Sequence, residues 1–363
     1  MRFNTFRMLA LLLLTISYSC KTSPPKPVTK EEAKEFATKL EVSVRKREPV
    51  FFNEAIDKKE MLKRADFPES GESRSFRKGM ERGMQMGDNI DKSLTEKGTY
   101  SLVKQYEKDG RQHLIFRLYD GGSLNYHDLE LIHMGEEVKI ADIFVYTTGQ
   151  LLSETLHGVF VQMKGMMDKN SGISADDEWV RRMPEIRTLL TQEKYQDALD
   201  LYEQMPVSVK NIRAMQIVHI EICSGLDMEE YDKALKEYQG LYPNEPNMNL
   251  LMIDGYIMHK EYDKALEAVN ALDKQINTDP MLDYYRYLCY NLLDDQPKGI
   301  ESLERLMKAM PDFEDGVVEL IATYLQVKDY EKARPLVKKF RGRASFNQAS
   351  LDLILATHTD FTE

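Results

Sequence analysis

The feature that most constrains this chain is an internal repeat in its second half. Its core is aromatic-x-x-Ala-Leu, as in Tyr195-Gln-Asp-Ala198-Leu199, Tyr231-Asp-Lys-Ala234-Leu235 and Tyr262-Asp-Lys-Ala265-Leu266. Tyr330-Glu-Lys-Ala333-Arg334 is a further copy, and Gln296-Pro-Lys-Gly299-Ile300 a degenerate one. The small residues at 198, 234, 265, 299 and 333 lie 36, 31, 34 and 34 residues apart. Apolar positions follow each at helical spacing, for example Tyr202 and Met205, Tyr238 and Leu241, Val269 and Leu272. Prolines close the copies at Pro206, Pro243, Pro280 and Pro311. Ala or Gly at the anchor has a physical reason: two helices cross closely there, and a larger side chain would hold them apart.

On these residues the array resembles the tetratricopeptide repeat, a 34-residue helix-turn-helix with a small residue early in its second helix. The resemblance covers about half the chain and implies an all-α solenoid over residues 178–363, with about five repeats. First helices are expected at stretches such as Met248 to His259 and Gly316 to Val327, and the stretch from Phe346 to Thr357 reads as an extra helix capping the open end. Tyr195, Tyr231, Tyr262 and Tyr330 are expected to fill the turns before the anchors Ala198, Ala234, Ala265 and Ala333, with Gly299 taking the same place in the degenerate copy. Cys223 and Cys289 have apolar neighbours and read as small core residues. Of Tyr284, Tyr285, Tyr287 and Tyr290, some belong in the core, and others suit a binding groove, where tyrosine offers large contact area at modest entropic cost.

The other end of the chain is an address. Residues 1–20 carry Arg2 and Arg7, a nine-residue apolar run from Met8 to Ile16, and small residues ending at Cys20. That run is far short of the roughly 20 residues needed to span a bilayer as a helix. The segment resembles a lipoprotein signal peptide of Bacteroidota-like type, although Ile16-Ser17-Tyr18-Ser19 departs from the strict Leu-Ala-Gly form. The resemblance implies removal of residues 1–19, acylation (palmitate) of Cys20 and an extracytoplasmic location. Lys21 after the cysteine favours, by the same resemblance, the periplasmic face of the outer membrane. Residues 20–29 read as a lipidated tether in which Pro24, Pro25 and Pro27 favour an extended, semi-rigid path.

Residues 30–165 read as an α+β domain. Phe36, Leu40, Val44 and Phe51 have helical spacing, interrupted near Pro49. A second helix is expected over Phe76 to Ile90, with Gly79, Gly83 and Gly87 forming a small-residue stripe for close packing. The period then changes to two over Tyr100 to Lys108, His113 to Tyr119, Leu124 to His133 and Val138 to Tyr146, with Asp109-Gly110, Gly121-Gly122 and Gly135-Glu136 at the turns. This is an antiparallel meander with helices on one face, an order similar to the cystatin-like or nuclear-transport-factor-like cone. Residues 166–177 are polar and glycine-containing, as expected of a linker between two flexibly joined bodies.

Composition narrows the function. A net charge of −11 with no sustained basic stripe argues against nucleic acid as a partner. No nucleophile elbow, phosphate loop or metal-ligand spacing is present, so no catalytic, cofactor or metal residue is assigned. The expectation is a membrane-anchored scaffold that binds an extracytoplasmic protein or peptide through the concave repeat surface and is not an enzyme. The alternative is a small-ligand receptor or enzyme with a pocket in the 30–165 domain, where Arg117, His127 and Asp142 lie on adjacent predicted strands. Asp142 shares the alternation of Val138, Ile140 and Phe144 and therefore needs a partner if it is buried.

Overall fold

A computed structural model describes residues 26–168, 178–243, 245, 247–343 and 346–362. The folded body begins before the expected boundary at 30, because Val28 is already buried. Thr29 and Glu32 form a reciprocal capping box: Glu32 N–H donates to Thr29 Oγ1 at 3.2 Å, and Thr29 N–H donates to Glu32 Oε2 at 2.9 Å. Helix α1 (Lys30–Arg45) starts there, and α2 (Pro49–Ala55) follows with Pro49 in its first turn, where a missing N–H costs nothing. Three further helices, α3 (Lys58–Arg64), α4 (Gly71–Gly83) and α5 (Met86–Ser93), complete the layer.

The helix expected over 76–90 is broken at Met84 and Gln85, and the glycine stripe does not act as one. A Cβ on Gly79 or Gly83 would meet nothing, so these two pack against no neighbour. Gly87 alone is a close approach, with a Cβ falling 2.4 Å from the Pro49 carbonyl oxygen. The stripe failed because its spacing assumed one continuous helix.

The meander consists of β1 (Thr99–Lys108), β2 (Arg111–Asp120), β3 (Ser123–Met134), β4 (Glu137–Val145) and a short β5 (Gln150–Leu151), antiparallel and in sequence order. Asp109 and Gly110 both take positive φ, 50° and 73°, the geometry that matches a tight hairpin to the strand twist. Between Glu130 and Leu131 the register to β4 slips: Leu131 faces Ile140 and Glu130 faces Asp142, leaving Ala141 extra. This bulge breaks the expected alternation, so Val138, Ile140, Ile143 and Val145 all reach the helix-side core with Phe36, Leu40, Phe52, Leu114, Phe116 and Leu129.

Helix α6 (Leu152–Asp168) runs through the expected boundary at 165 and into the expected linker. Leu156 and Phe160 belong to the N-terminal core, while Val159 packs against the first repeat. Residues 169–177 lie outside the described residues.

Beyond them the described residues hold five helix pairs: α7 (Glu178–Thr191) with α8 (Tyr195–Glu203), then, after a short α9 (Val207–Lys210), α10 (Arg213–Ser224) with α11 (Met228–Leu241). The others are α12 (Met248–Met258) with α13 (Tyr262–Ile276), α14 (Leu282–Leu292) with α15 (Gln296–Ala309), and α16 (Glu314–Gln326) with α17 (Tyr330–Phe340). Helix α18 (Gln348–Ala356) ends the stack, its Leu351 fully buried. Ala198, Ala234, Ala265 and Ala333 are fully buried, and Gly299 is buried with them. Tyr195, Tyr262 and Tyr330 are the first residues of their helices and Tyr231 the fourth of α11, and all four are half-buried. The ring of Tyr195 lies 2.2 Å from where a Gly225 Cβ would stand, so the first pair seats an aromatic ring on the turn of the second.

Two glycines separate propensity from packing. A methyl on Gly299 would rest 3.5 Å from Tyr287 in ordinary contact, so Gly299→Ala is expected to raise stability by about 0.5–1 kcal/mol through helix propensity. Gly225→Ala must displace the Tyr195 ring and is expected to cost about 1–3 kcal/mol. Urea unfolding of both variants checks this; equal effects would show that the packing reading is mistaken.

Candidate functional site

The two halves are not flexibly joined bodies. The sheet face turned away from α1–α5 is apolar as well: Ile115, Tyr119, Leu124 and Tyr126 pack with Leu250, Ile253, Val269, Leu272, Met281, Leu282 and Tyr285 of the repeats. The polar fasteners come from the beginnings of successive first helices. Arg213 donates to the Thr148 carbonyl at 3.4 Å, Asn247 Nδ2 to the Thr147 carbonyl at 2.8 Å, and Tyr119 Oη to Asp315 at 3.2 Å. At the centre, Asp279 accepts from Arg117 at 2.5 Å, from Tyr126 Oη at 2.9 Å and from the Met281 N–H at 3.0 Å. Asp279 therefore shapes the turn into α14 and receives the sheet at once. With the Arg117 and Asp279 side chains 7% and 1% exposed, neither can fall back on water.

Arg117, His127 and Asp142 do not converge. Arg117 pairs with Asp279, and its neighbour across the strands is Tyr126 rather than His127. His127 is buried beside Tyr100, whose hydroxyl lies 3.2 Å from Nδ1. Asp142 is fully buried and answers its own question: it accepts from Ser153 Oγ at 2.5 Å and from the Ile143 and Ser153 N–H groups, fastening the start of α6 to the sheet. Burial raises its carboxyl, while these hydrogen bonds oppose that shift.

The tautomer of His127 follows from its surroundings. Asn125 Oδ1 is committed to the N–H groups of Tyr126 and Thr147, which turns Nδ2 toward His127 Nε2 at 3.3 Å. Nε2 is thus the acceptor, and Nδ1 carries the proton toward Tyr100.

Desolvation lowers His127 from its ordinary 6.5 to about 4. Between these values the unfolded chain binds the proton and the folded chain does not, so stability falls on acidification through this window. The expected loss from this residue is about 3 kcal/mol, and His127→Gln should flatten the stability profile there. Glu130, which burial would raise, is drawn down to about 2 by hydrogen bonds from Arg64 and Arg111, so its own share is lost only below the ordinary carboxylate value. Denaturant titrations across the acid range check the assignment; an unchanged slope in His127→Gln would refute it.

Counting back eleven residues from the anchors gives Arg187, Asp254, Leu288 and Ala322; in the second pair, where α11 starts three residues before its tyrosine, Glu221 lies near this row, thirteen residues before Ala234. Glu221 and Asp254 are open to solvent, yet desolvation is what raises each carboxyl. Exposure together with crowding is what the wall of a concave surface produces. Arg187 lowers Glu221 in part and donates to Asn89 of α5 at 2.9 Å, while Tyr231 interacts with Asp254. The sheet holds the beginnings of the first helices and leaves this strip along their middles.

The tyrosine group divides. Tyr285 is buried and donates to the Gly122 carbonyl at 3.0 Å, so it serves the sheet contact. Tyr287 is buried and bonded to Glu319, Tyr284 packs edge-on to Phe313, and Tyr290 lies under Lys298. Burial pushes the thiols of Cys223 and Cys289 up to about 11, as suits core residues. Among the described residues no group of three His, Cys, Asp or Glu could hold a metal, and no helix is long and apolar enough to cross a membrane. Cys20 lies outside the described residues.

Neither the family models nor the curated proteins searched match this chain. Among solved structures it is similar to MamA from Desulfovibrio magneticus RS-1 (residues 41 to the end), at 17% identity and a TM-score of 0.39, covering 46% of this chain and 94% of that one. A MamA from AMB-1 aligns at 16% identity and a TM-score of 0.32, over 44% of this chain and 88% of its own.

The Arg117–Asp279 pair gives a direct test of the contact. Arg117→Met leaves a buried carboxylate short of its cation and is expected to cost about 3–5 kcal/mol. Combining it with Asp279→Asn should cost less than the two single changes together, as for any shared interaction. Strict additivity in a thermal or urea cycle would show that the pair does not act as a unit.

Proposed function

We propose that this chain is a membrane-tethered binding module that holds an extracytoplasmic protein or peptide along the strip on its first helices. The observation that carries the reading is the crowded but open pair of carboxylates, Glu221 and Asp254, on neighbouring first helices, which the chain's own sheet leaves uncovered. A stack of helix pairs presents one extended surface, and such surfaces suit elongated partners. The tether is the acylated Cys20, with the proline-containing stretch behind it giving reach, and the location is the periplasmic face of the outer membrane. Support for this part comes from Arg2, Arg7, the short apolar run and Cys20 itself. No catalysis is proposed, and no nucleic acid.

Deleting the repeats would strip the sheet of its second core, so point changes are the better test. Full-length protein and a Glu221→Lys/Asp254→Lys variant would be purified from gently solubilised membranes and their co-eluting proteins compared. A partner lost from the variant supports the strip; the same partner retained in full would move the binding surface elsewhere. In parallel, Cys20→Ser is expected to shift the protein from the membrane to the soluble fraction and to abolish palmitate labelling. Undiminished membrane association and labelling would remove the anchor.

A further inference from the structure

The chain is acidic overall, yet residues 328–343 hold seven cations (Lys328, Lys332, Arg334, Lys338, Lys339, Arg341 and Arg343) against two acids, Asp329 and Glu331. This segment is α17 with the residues just before it and the turn that follows it, at the last pair of the stack. Arg334, Lys338 and Arg341 with Pro335 line an open hollow of about 330 Å³. Ordinary helix electrostatics explains only part of the clustering. Lys338 and Lys339 suit the negative end of the α17 dipole, but Arg334 lies before the last turn and Arg343 beyond the helix. Several of the cations have partners: Lys332 with Glu304, Arg343 with Asp312, Arg341 with Asp352. Those carboxylates balance the rim, whereas Lys338 faces the hollow with no ion pair among the described residues.

The helix beside the hollow supplies a second, independent feature. Asp352, the partner of Arg341, is followed by Leu353, which is 69% exposed, and Ala349 and Ala356 on α18 are exposed too. The closing helix of a repeat stack ordinarily turns a polar face to water. Here Ala349, Leu353 and Ala356 share that face with one carboxylate, Asp352, whose charge Arg341 meets, and the face adjoins a bank of long cationic side chains. Shallow apolar residues flanked by lysine and arginine are the chemistry of a surface that rests in the headgroup layer of an anionic bilayer, where the cations meet phosphate and the leucine meets the acyl boundary.

From this juxtaposition we infer that the C-terminal end of the stack, α17 with α18, is a contact surface for phosphate-bearing lipid headgroups. A chain tethered at its other end would then touch the membrane at two places. The contact does not depend on acylation, so the test uses the full chain carrying Cys20→Ser, and fractionation of the unaltered protein remains a separate test of the anchor.

The experiment is co-sedimentation with phosphatidylcholine vesicles and with phosphatidylcholine vesicles containing phosphatidylglycerol, at low and at physiological salt. The Cys20→Ser chain is expected to bind the anionic vesicles selectively and to lose binding with salt. Arg334→Glu/Lys338→Glu/Arg341→Glu should weaken that binding roughly a hundredfold or more, since each cation near such a surface contributes about a factor of five. Leu353→Ser should weaken it less. Lys233→Glu/Lys236→Glu/Lys264→Glu makes the same change in net charge on an exposed face elsewhere and should leave most of the binding intact. No preference for anionic vesicles overturns the inference, as does equal loss in the two charge-reversed chains. Binding to soluble polyglutamate without binding to vesicles also overturns it and assigns the patch to an acidic protein.

Discussion

A β-sheet with apolar residues on both faces cannot leave either face in water, and this requirement organises the whole chain. One face is answered locally by α1 to α5, whose residues are close in sequence. The other is answered by helices more than a hundred residues away, with Ile115, Tyr119, Leu124 and Tyr126 set against Leu250, Ile253 and Tyr285. Burying these side chains supplies attraction without direction. Direction comes from Asp279, which has to be satisfied by Arg117 and Tyr126 once it is out of water and so accepts one docking position rather than several. The repeats, in turn, depend on small residues at helix crossings, which let each pair approach the next closely enough to form a continuous core.

Regular features were legible in the sequence, and unique ones were not. Four strands, their turns, the Pro49 interruption and the helix pairs follow from periodicities of two and 3.6 and from the repeat itself. The slip at Ala141 was not legible, because one extra residue leaves the alternation plausible on either side of it. Nor was the break at Met84 and Gln85, where no proline marks the end of the helix. The union of the two halves left almost no trace: Asp279 precedes Pro280 and reads as an ordinary turn residue, and nothing nearby announces that its cation lies on a strand 162 residues earlier. The positions Arg187, Asp254, Leu288 and Ala322 could have been found by counting back from the anchors, whereas Glu221 could not, because α11 starts three residues earlier relative to its anchor than the other second helices.

Asp142, His127 and Arg117, buried polar residues of the N-terminal half, each join one element to another and do not meet at one site. Asp142 fastens α6 to the sheet, His127 satisfies Tyr100 and Asn125, and Arg117 reaches into the repeats. Each was noticed in the sequence because a polar residue stood among apolar ones, and that signal was real. What it marked was a junction, since a buried polar group also specifies which neighbour an element must have.

The capping box at Thr29 has a mechanical meaning. Any load applied to the chain ahead of Val28 enters the fold at the first turn of α1, which lies along the sheet. From there it reaches the repeats through the fasteners at Thr147, Thr148, Arg117, Tyr126 and Tyr119, spread over the starts of four first helices. A pull that reaches the repeats meets bonds on four helices and not on a single one. The stack is therefore mounted on its base at several points, as a bracket is bolted to a wall.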